Sequence, residues 1–223
     1  MDPYLYALIS TYVPEHFSVL TDLASGLLIK EVRGGCSYAN GVLHSFNDEP
    51  ARILKNGTKE WYSCGKIHRK NDLPAIIQAD GTEEWYRNGL LSRDNDLPGI
   101  IYTNGPEVWY QNGRVHRDNL PAIIYPDGTQ IWYQNGIKHR DNDLPSYESS
   151  NCKEWYQNGE LNRDNDLPAI IWFDGQQEWY QNNQRHRDND LPAVIYVNGR
   201  QEWWQRGFLY RDNDIPVITW TDE

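Results

Sequence analysis

The chain has 223 residues, 32 acidic and 21 basic, a net charge of −11, and 10 Trp and 15 Tyr beside only 4 Phe and one Met. The negative balance repels phosphate backbones and anionic headgroups, which argues against nucleic acid and membrane surfaces as partners. No run approaches the ~20 apolar residues of a membrane helix, and three cysteines without a CxxC pair (Cys36, Cys64, Cys152) exclude a disulfide scaffold.

Residues 1–36 stand apart from the rest. The first segment, MDPYLYALIS, lacks the basic region of a secretory signal, so an intracellular, cytoplasmic location is expected. Tyr4, Leu5, Leu8, Ile9 and Tyr12, and then Val19, Leu20, Leu23, Leu27 and Leu28, fall at helical spacing with Pro14 between them. The pattern predicts two short helices forming a cap over the first hairpin edge of the remaining chain.

From residue 37 onward the chain repeats. Trp recurs at 61, 85, 109, 132, 155, 179 and 203, in steps of 24, 24, 23, 23, 24 and 24. Arg stands eight residues after each, at Arg69, Arg93, Arg117, Arg140, Arg163, Arg187 and Arg211. A degenerate earlier copy puts Ser37 in the Trp slot and keeps Tyr38, Asn40, Gly41, His44 and Pro50. The array therefore spans 37–223, with units starting near 37, 61, 85, 109, 132, 155, 179 and 203.

Within a unit, TQEWYQ and PAIIY are strand candidates. Pairs such as Asn88-Gly89 and Asp80-Gly81 suit the tight turns at either end. Each unit is therefore expected to hold two strands, and the fold class is mainly β: an elongated, twisted antiparallel meander of stacked hairpins. The RDND connectors carry turn-forming side chains, and their Arg residues are expected to pair between units with Asp96, Asp143, Asp166, Asp190 or Asp214.

Strand alternation sends each Trp and its following Tyr to opposite faces. The candidate partner-binding ladder is Trp85, Tyr86, Trp109, Tyr110, Trp132, Tyr133, Trp155, Tyr156, Trp179 and Tyr180. At the far end, Ile215, Val217, Ile218, Thr219 and Trp220 form a strand with no later partner, a candidate for homodimer pairing.

The unit WYQNGxxHRxNDLPAIIYxDG resembles the MORN repeat, in the variant dialect expanded in large DNA viruses of amoebae: Trp, the NG turn and the His slot are kept, while RDND and LP replace the Gly after His. The resemblance implies a viral protein of the host cytoplasm or virion, and a scaffold of β-hairpins that binds proteins, dimerises or, in some members, sits near membranes. It brings no catalytic residues. The segment ISTYVPEHFSVLTDLASG resembles a truncated F-box, which implies an alternative role as a ubiquitin-ligase substrate adaptor docking a Skp1-like protein.

No enzymatic constellation stands out. His44, His68, His116, His139 and His186 share one slot, but consecutive units lie about 9 to 10 Å apart, too far to share a metal with ~2.1 Å bonds. No phosphate loop or nucleophile elbow is present. The expectation is a non-enzymatic repeat scaffold for protein–protein interaction, without cofactor.

Overall fold

A computed structural model describes residues 21–22, 28–212 and 215–220. The chain divides into two compact bodies, Met1–Thr103 and Asn104–Glu223.

The first body opens with a four-stranded sheet, β1 (Thr21–Asp22), β2 (Leu28–Arg33), β3 (Cys36–Ala39) and β4 (Val42–Leu43), each antiparallel to the next. These strands correct the expectation of a second helix over residues 19–28. The segment Leu28 to Arg33 carries the β-branched Ile29 and Val32, which favour a strand. Gly34 and Gly35, with φ of 56° and 79°, turn it back so that β3 pairs with it over four residues. Of the F-box-like segment, residues 9–26, only Thr21–Asp22 falls within the described residues. The first expected helix, over residues 4–12, lies outside the described residues.

The β3–β4 hairpin already has the geometry of a repeat. Ser37 N–H donates to the Ala51 carbonyl at 2.8 Å and its own carbonyl accepts from His44 N–H. Trp61 does the same with Ala75 and His68.

Next come β5 (Arg52–Ile53), β6 (Lys59–Glu60), β7 (Tyr62–Ser63), β8 (Lys66–Ile67), β9 (Ile76–Ile77), β10 (Glu83–Glu84), β11 (Tyr86–Arg87), β12 (Leu90–Leu91) and β13 (Ile100–Ile101). Strands β5, β6, β9, β10 and β13 form one antiparallel ladder in that order, while β7–β8 and β11–β12 are separate hairpins. In this body each complete unit thus has four two-residue strands, rather than the two longer ones read from the sequence. The break falls at Trp. Trp85 gives its N–H to the Gly99 carbonyl, next to β13, and its C=O to the Ser92 N–H, next to β12, so its backbone passes from the main ladder into the separate hairpin.

The turns reflect residue chemistry. Asn88 (φ 51°) and Gly89 (φ 88°) make the left-handed pair of a two-residue hairpin. At the other end Asp80 Oδ1 accepts from Thr82 N–H at 2.9 Å, and only Gly81 has positive φ. In the connector, Asn71 and Asp72 are both left-handed, a conformation Asn and Asp tolerate better than other side chains.

The second body repeats the plan. Its main ladder runs, from the C-terminal side, Ile218–Trp220, Arg200–Glu202, Val194–Ile195, Gln177–Glu178, Ile170–Trp172, Cys152–Glu154, Tyr147–Glu148, Gln130–Ile131, Ile123–Ile124 and Glu107–Val108. Five two-stranded hairpins, one per Trp from Trp109 to Trp203, lie outside this ladder. The core is modular. The seven repeat Trp are 4–7 % exposed, and the residue after each connector proline from Pro74 to Pro192 is buried, as with Ala75, Ala122, Ala169 and Ala193. At about 25 cal/mol per Å², each buried indole contributes on the order of 4 kcal/mol.

Candidate binding surface

Five connectors are each gripped by the Trp and Arg of the unit after them. Trp85 Nε1 donates to the Asp72 carbonyl at 3.0 Å, while Arg93 Nε and Nη2 fork onto the Asp72 carboxylate at 2.9 and 2.8 Å. Arg93 also lies 3.8 Å over the Trp85 ring and donates Nη1 to the Pro98 carbonyl. A cation, an aromatic face and a bidentate carboxylate thus meet in one clamp. The clamp recurs as Trp61–Asp48–Arg69 in the first body, and as Trp155–Asp143–Arg163, Trp179–Asp166–Arg187 and Trp203–Asp190–Arg211 in the second. These bonds hold the carboxyls of Asp48, Asp72, Asp143, Asp166 and Asp190 below their ordinary range. The inter-unit pairing expected for Asp143, Asp166 and Asp190 is present; Asp214 lies outside the described residues.

Histidines stitch the hairpins. In the second body His116, His139 and His186 accept through Nδ1 from the backbone N–H of Asn135, Asn158 and Arg206. Their Nε2 atoms lie 3.1 Å from Asp118, Asp141 and Asp188. A backbone N–H can only donate, so Nδ1 carries the lone pair and Nε2 the proton. Among the described residues no group of three or more His, Cys, Asp or Glu is placed to hold a metal ion.

The aromatic ladder divides by face. Trp85, Trp109, Trp132, Trp155 and Trp179 are core. Tyr86, Tyr110, Tyr133, Tyr156 and Tyr180 are half-buried. Tyr86 and Tyr180 donate to Glu84 and Glu178, two residues back. Burial pushes up the hydroxyls of Tyr133, Tyr156 and Tyr180. Lys138 sits 3.6 Å over the Tyr156 ring and 3.4 Å from Glu154, and desolvation holds its ammonium below the usual range.

The surface the sequence did not flag is made by the connectors. Leu73 and Leu97 in the first body, and Leu120, Leu144, Leu167 and Leu191 in the second, are all 37–47 % exposed. Its signal in the sequence is the recurring Leu before proline, which reads as a strand entry rather than as exposed apolar surface. The last strand, Ile218–Trp220, pairs with Arg200–Glu202 at the end of the ladder and leaves Trp220 61 % exposed. Ile215 is exposed and Val217 accepts from Trp203 N–H. No helix among the described residues is long and apolar enough to cross a membrane. A scan against protein-family models and a search of curated proteins each gave no match.

Proposed function

We propose that this protein is a non-enzymatic repeat scaffold that docks a protein partner along the leucine row of its connectors. The observation that carries this reading is the recurrence of one half-exposed Leu per connector, from Leu120 to Leu191 in the second body. An apolar side chain repeated at a fixed interval offers a partner a row of anchors. The row is preorganised, because the Arg of each unit ties its connector to the proline carbonyl, as Arg163 does to Pro168 at 3.2 Å. The half-buried Tyr residues belong to the same units and supply amphipathic contacts, which fits the resemblance to MORN scaffolds. The test is to immobilise the protein and a triple variant, Leu144→Asp with Leu167→Asp and Leu191→Asp, and identify what each retains from an extract of the source cells. Loss of the retained proteins in a variant with an unchanged circular dichroism spectrum is expected; an identical retained set overturns the reading.

A second reading, homodimerisation through the last strand, is favoured by the exposure of Trp220 on a strand at the end of its ladder. Light scattering then gives a dimer mass for the wild type and a monomer for Thr219→Lys with Trp220→Lys. A monomer in both removes this reading.

A further inference from the structure

At Trp132 the clamp is incomplete. The preceding connector reads Arg117-Asp118-Asn119-Leu120-Pro121, one residue shorter than Arg140-Asp141-Asn142-Asp143-Leu144-Pro145 in the next unit. The residue removed is the Asp that elsewhere supplies both a carbonyl and a carboxylate. Only Asn119 remains left-handed there, where the next connector has both Asn142 and Asp143.

Two donors are left over. Trp132 is 6 % exposed, and its Nε1 is buried with no hydrogen-bond partner. Arg140 still lies 3.9 Å over the ring, still donates Nη1 to the Pro145 carbonyl at 3.1 Å, and adds the Glu148 carboxylate at 3.0 Å. Its Nε–Nη2 edge, which forks onto Asp in the five complete clamps, has no acceptor among the described residues. The Arg140 side chain is 23 % exposed, against 12–15 % for the five Arg residues that hold an Asp. A buried donor without a partner costs about 1–3 kcal/mol, so an acceptor delivered there from outside is favoured.

We propose that this incomplete clamp recognises an aspartyl residue of a partner polypeptide, its carboxylate on Arg140 and its backbone carbonyl on the indole N–H of Trp132. The five complete clamps define the chemistry. In each, one residue presents both groups, in the left-handed conformation with φ between 53° and 60°. A Glu would set its carboxylate one methylene further from its own carbonyl, and a free anion has no carbonyl attached to it. The Arg140 side chain keeps part of its surface in solvent. The indole N–H is buried, so seating the carbonyl requires the groups over it to move aside. Leu120 is the most exposed of the connector leucines. Glu148 already neutralises part of the Arg140 charge, and Asp118 and Asp141 are engaged by His116 and His139.

This names a chemistry for the partner of the docking reading, on which it rests only in that the ligand is a polypeptide; its test uses isolated peptides and leaves Leu144, Leu167 and Leu191 untouched. Two-dimensional ¹H–¹⁵N spectra of the full chain resolve the indole N–H groups, with Trp132 assigned from Trp132→Phe. The probes are acetyl-Asn-Asp-amide, acetyl-Asn-Asn-amide and inorganic phosphate. The Asp peptide alone is expected to move the Trp132 indole downfield while the other repeat indoles stay. Inserting Asp after Asn119 is expected to move the same resonance without peptide, abolish the response and raise the thermal midpoint. Arg140→Gln, which keeps the connector length, is expected to lose the response with the other indoles unchanged. No shift with the Asp peptide, an equal shift with the Asn peptide or with phosphate, or a persisting response in Arg140→Gln overturns the proposal.

Discussion

Arg163 lies 3.8 Å over the indole of Trp155, and both side chains hold Asp143 of the preceding connector. The two grips differ in kind: Trp155 binds the Asp143 backbone, whereas Arg163 binds its side chain. Asp143→Ala therefore removes two charge-assisted bonds and leaves the indole bond in place. Such bonds reach about 3 kcal/mol when buried, but the Asp143 side chain is 46 % exposed, so solvent screening brings the expected loss to about 1 kcal/mol. Trp155→Ala empties the core of its unit and is expected to cost about 3–5 kcal/mol. Urea unfolding measures both, and an Asp143→Ala midpoint equal to wild type would mean that the fork adds nothing to stability.

Acid should loosen the connectors, and the sign is set by the direction of the Asp shifts. Hydrogen bonds from Arg hold the carboxyls of Asp72, Asp143 and Asp166 below 3.8 in the folded chain. A depressed carboxyl contributes fully above its unfolded value, and that contribution disappears as pH falls through the folded value. The thermal midpoint should hold from neutrality to about pH 5 and then drop through the carboxylate range below it. Asp143→Asn with Asp166→Asn starts from a lower midpoint and loses less on acidification. Circular dichroism melts across this range decide it: parallel curves for the two proteins would separate acid loss from these clamps.

The turn glycines allow backbone strain to be separated from side-chain crowding. Gly128 has φ of 86° and open space where a Cβ would sit, while Gly159 has φ of 85° and a Cβ there would meet Ile137 at 3.4 Å. Gly128→Ala incurs the left-handed penalty alone, about 1–2 kcal/mol. Gly159→Ala is expected to cost at least as much, with the contact added. Gly128→Asn should recover part of the loss, since Asn tolerates this conformation. Urea midpoints in the order wild type, Gly128→Asn, Gly128→Ala support the argument, and an unchanged Gly128→Ala removes it.

What the sequence made legible was local chemistry. The Asn-Gly turns, the period and the Arg–Asp pairing between units all arise from residue types at fixed offsets, and Arg187 with Asp166 stands as its spacing implied. The break at each Trp was not legible, because it depends on where a backbone N–H finds its acceptor, as Trp179 does beyond the connector at Ala193 of the same unit. Nor was the division of the aromatic pairs. Alternation separates Trp155 from Tyr156 but does not say which face is closed by the connector and its Arg. At the N-terminal end, Leu28 falls at helical spacing with Leu20 and Leu27, and pairing of β2 with β1 and β3 decided for the strand. The gap at Trp132 was visible as a step of 23, but its meaning needed the neighbouring clamps for comparison.

The residue after each connector proline tests how tightly a unit is packed. Ala169 is fully buried and belongs to a cluster with Cys152, Leu161 and Ile170, against which Tyr156 and Tyr180 pack. Ala169→Leu forces several extra carbons into a closed space and is expected to cost about 1–3 kcal/mol, more if the ladder must shift. Ala169→Ser should be far milder. Ser146 occupies the same slot with no exposure, and its hydroxyl accepts from the backbone N–H of Tyr156 at 3.1 Å. By the repeat, the corresponding donor for a serine at 169 is the N–H of Tyr180. With that bond made, the buried hydroxyl is satisfied, and the loss should stay under about 1 kcal/mol. Thermal and urea unfolding of both variants distinguish the outcomes: a tolerated Leu would show that the unit is loosely filled, and a severe loss with Ser would show that the Tyr180 N–H does not reach it.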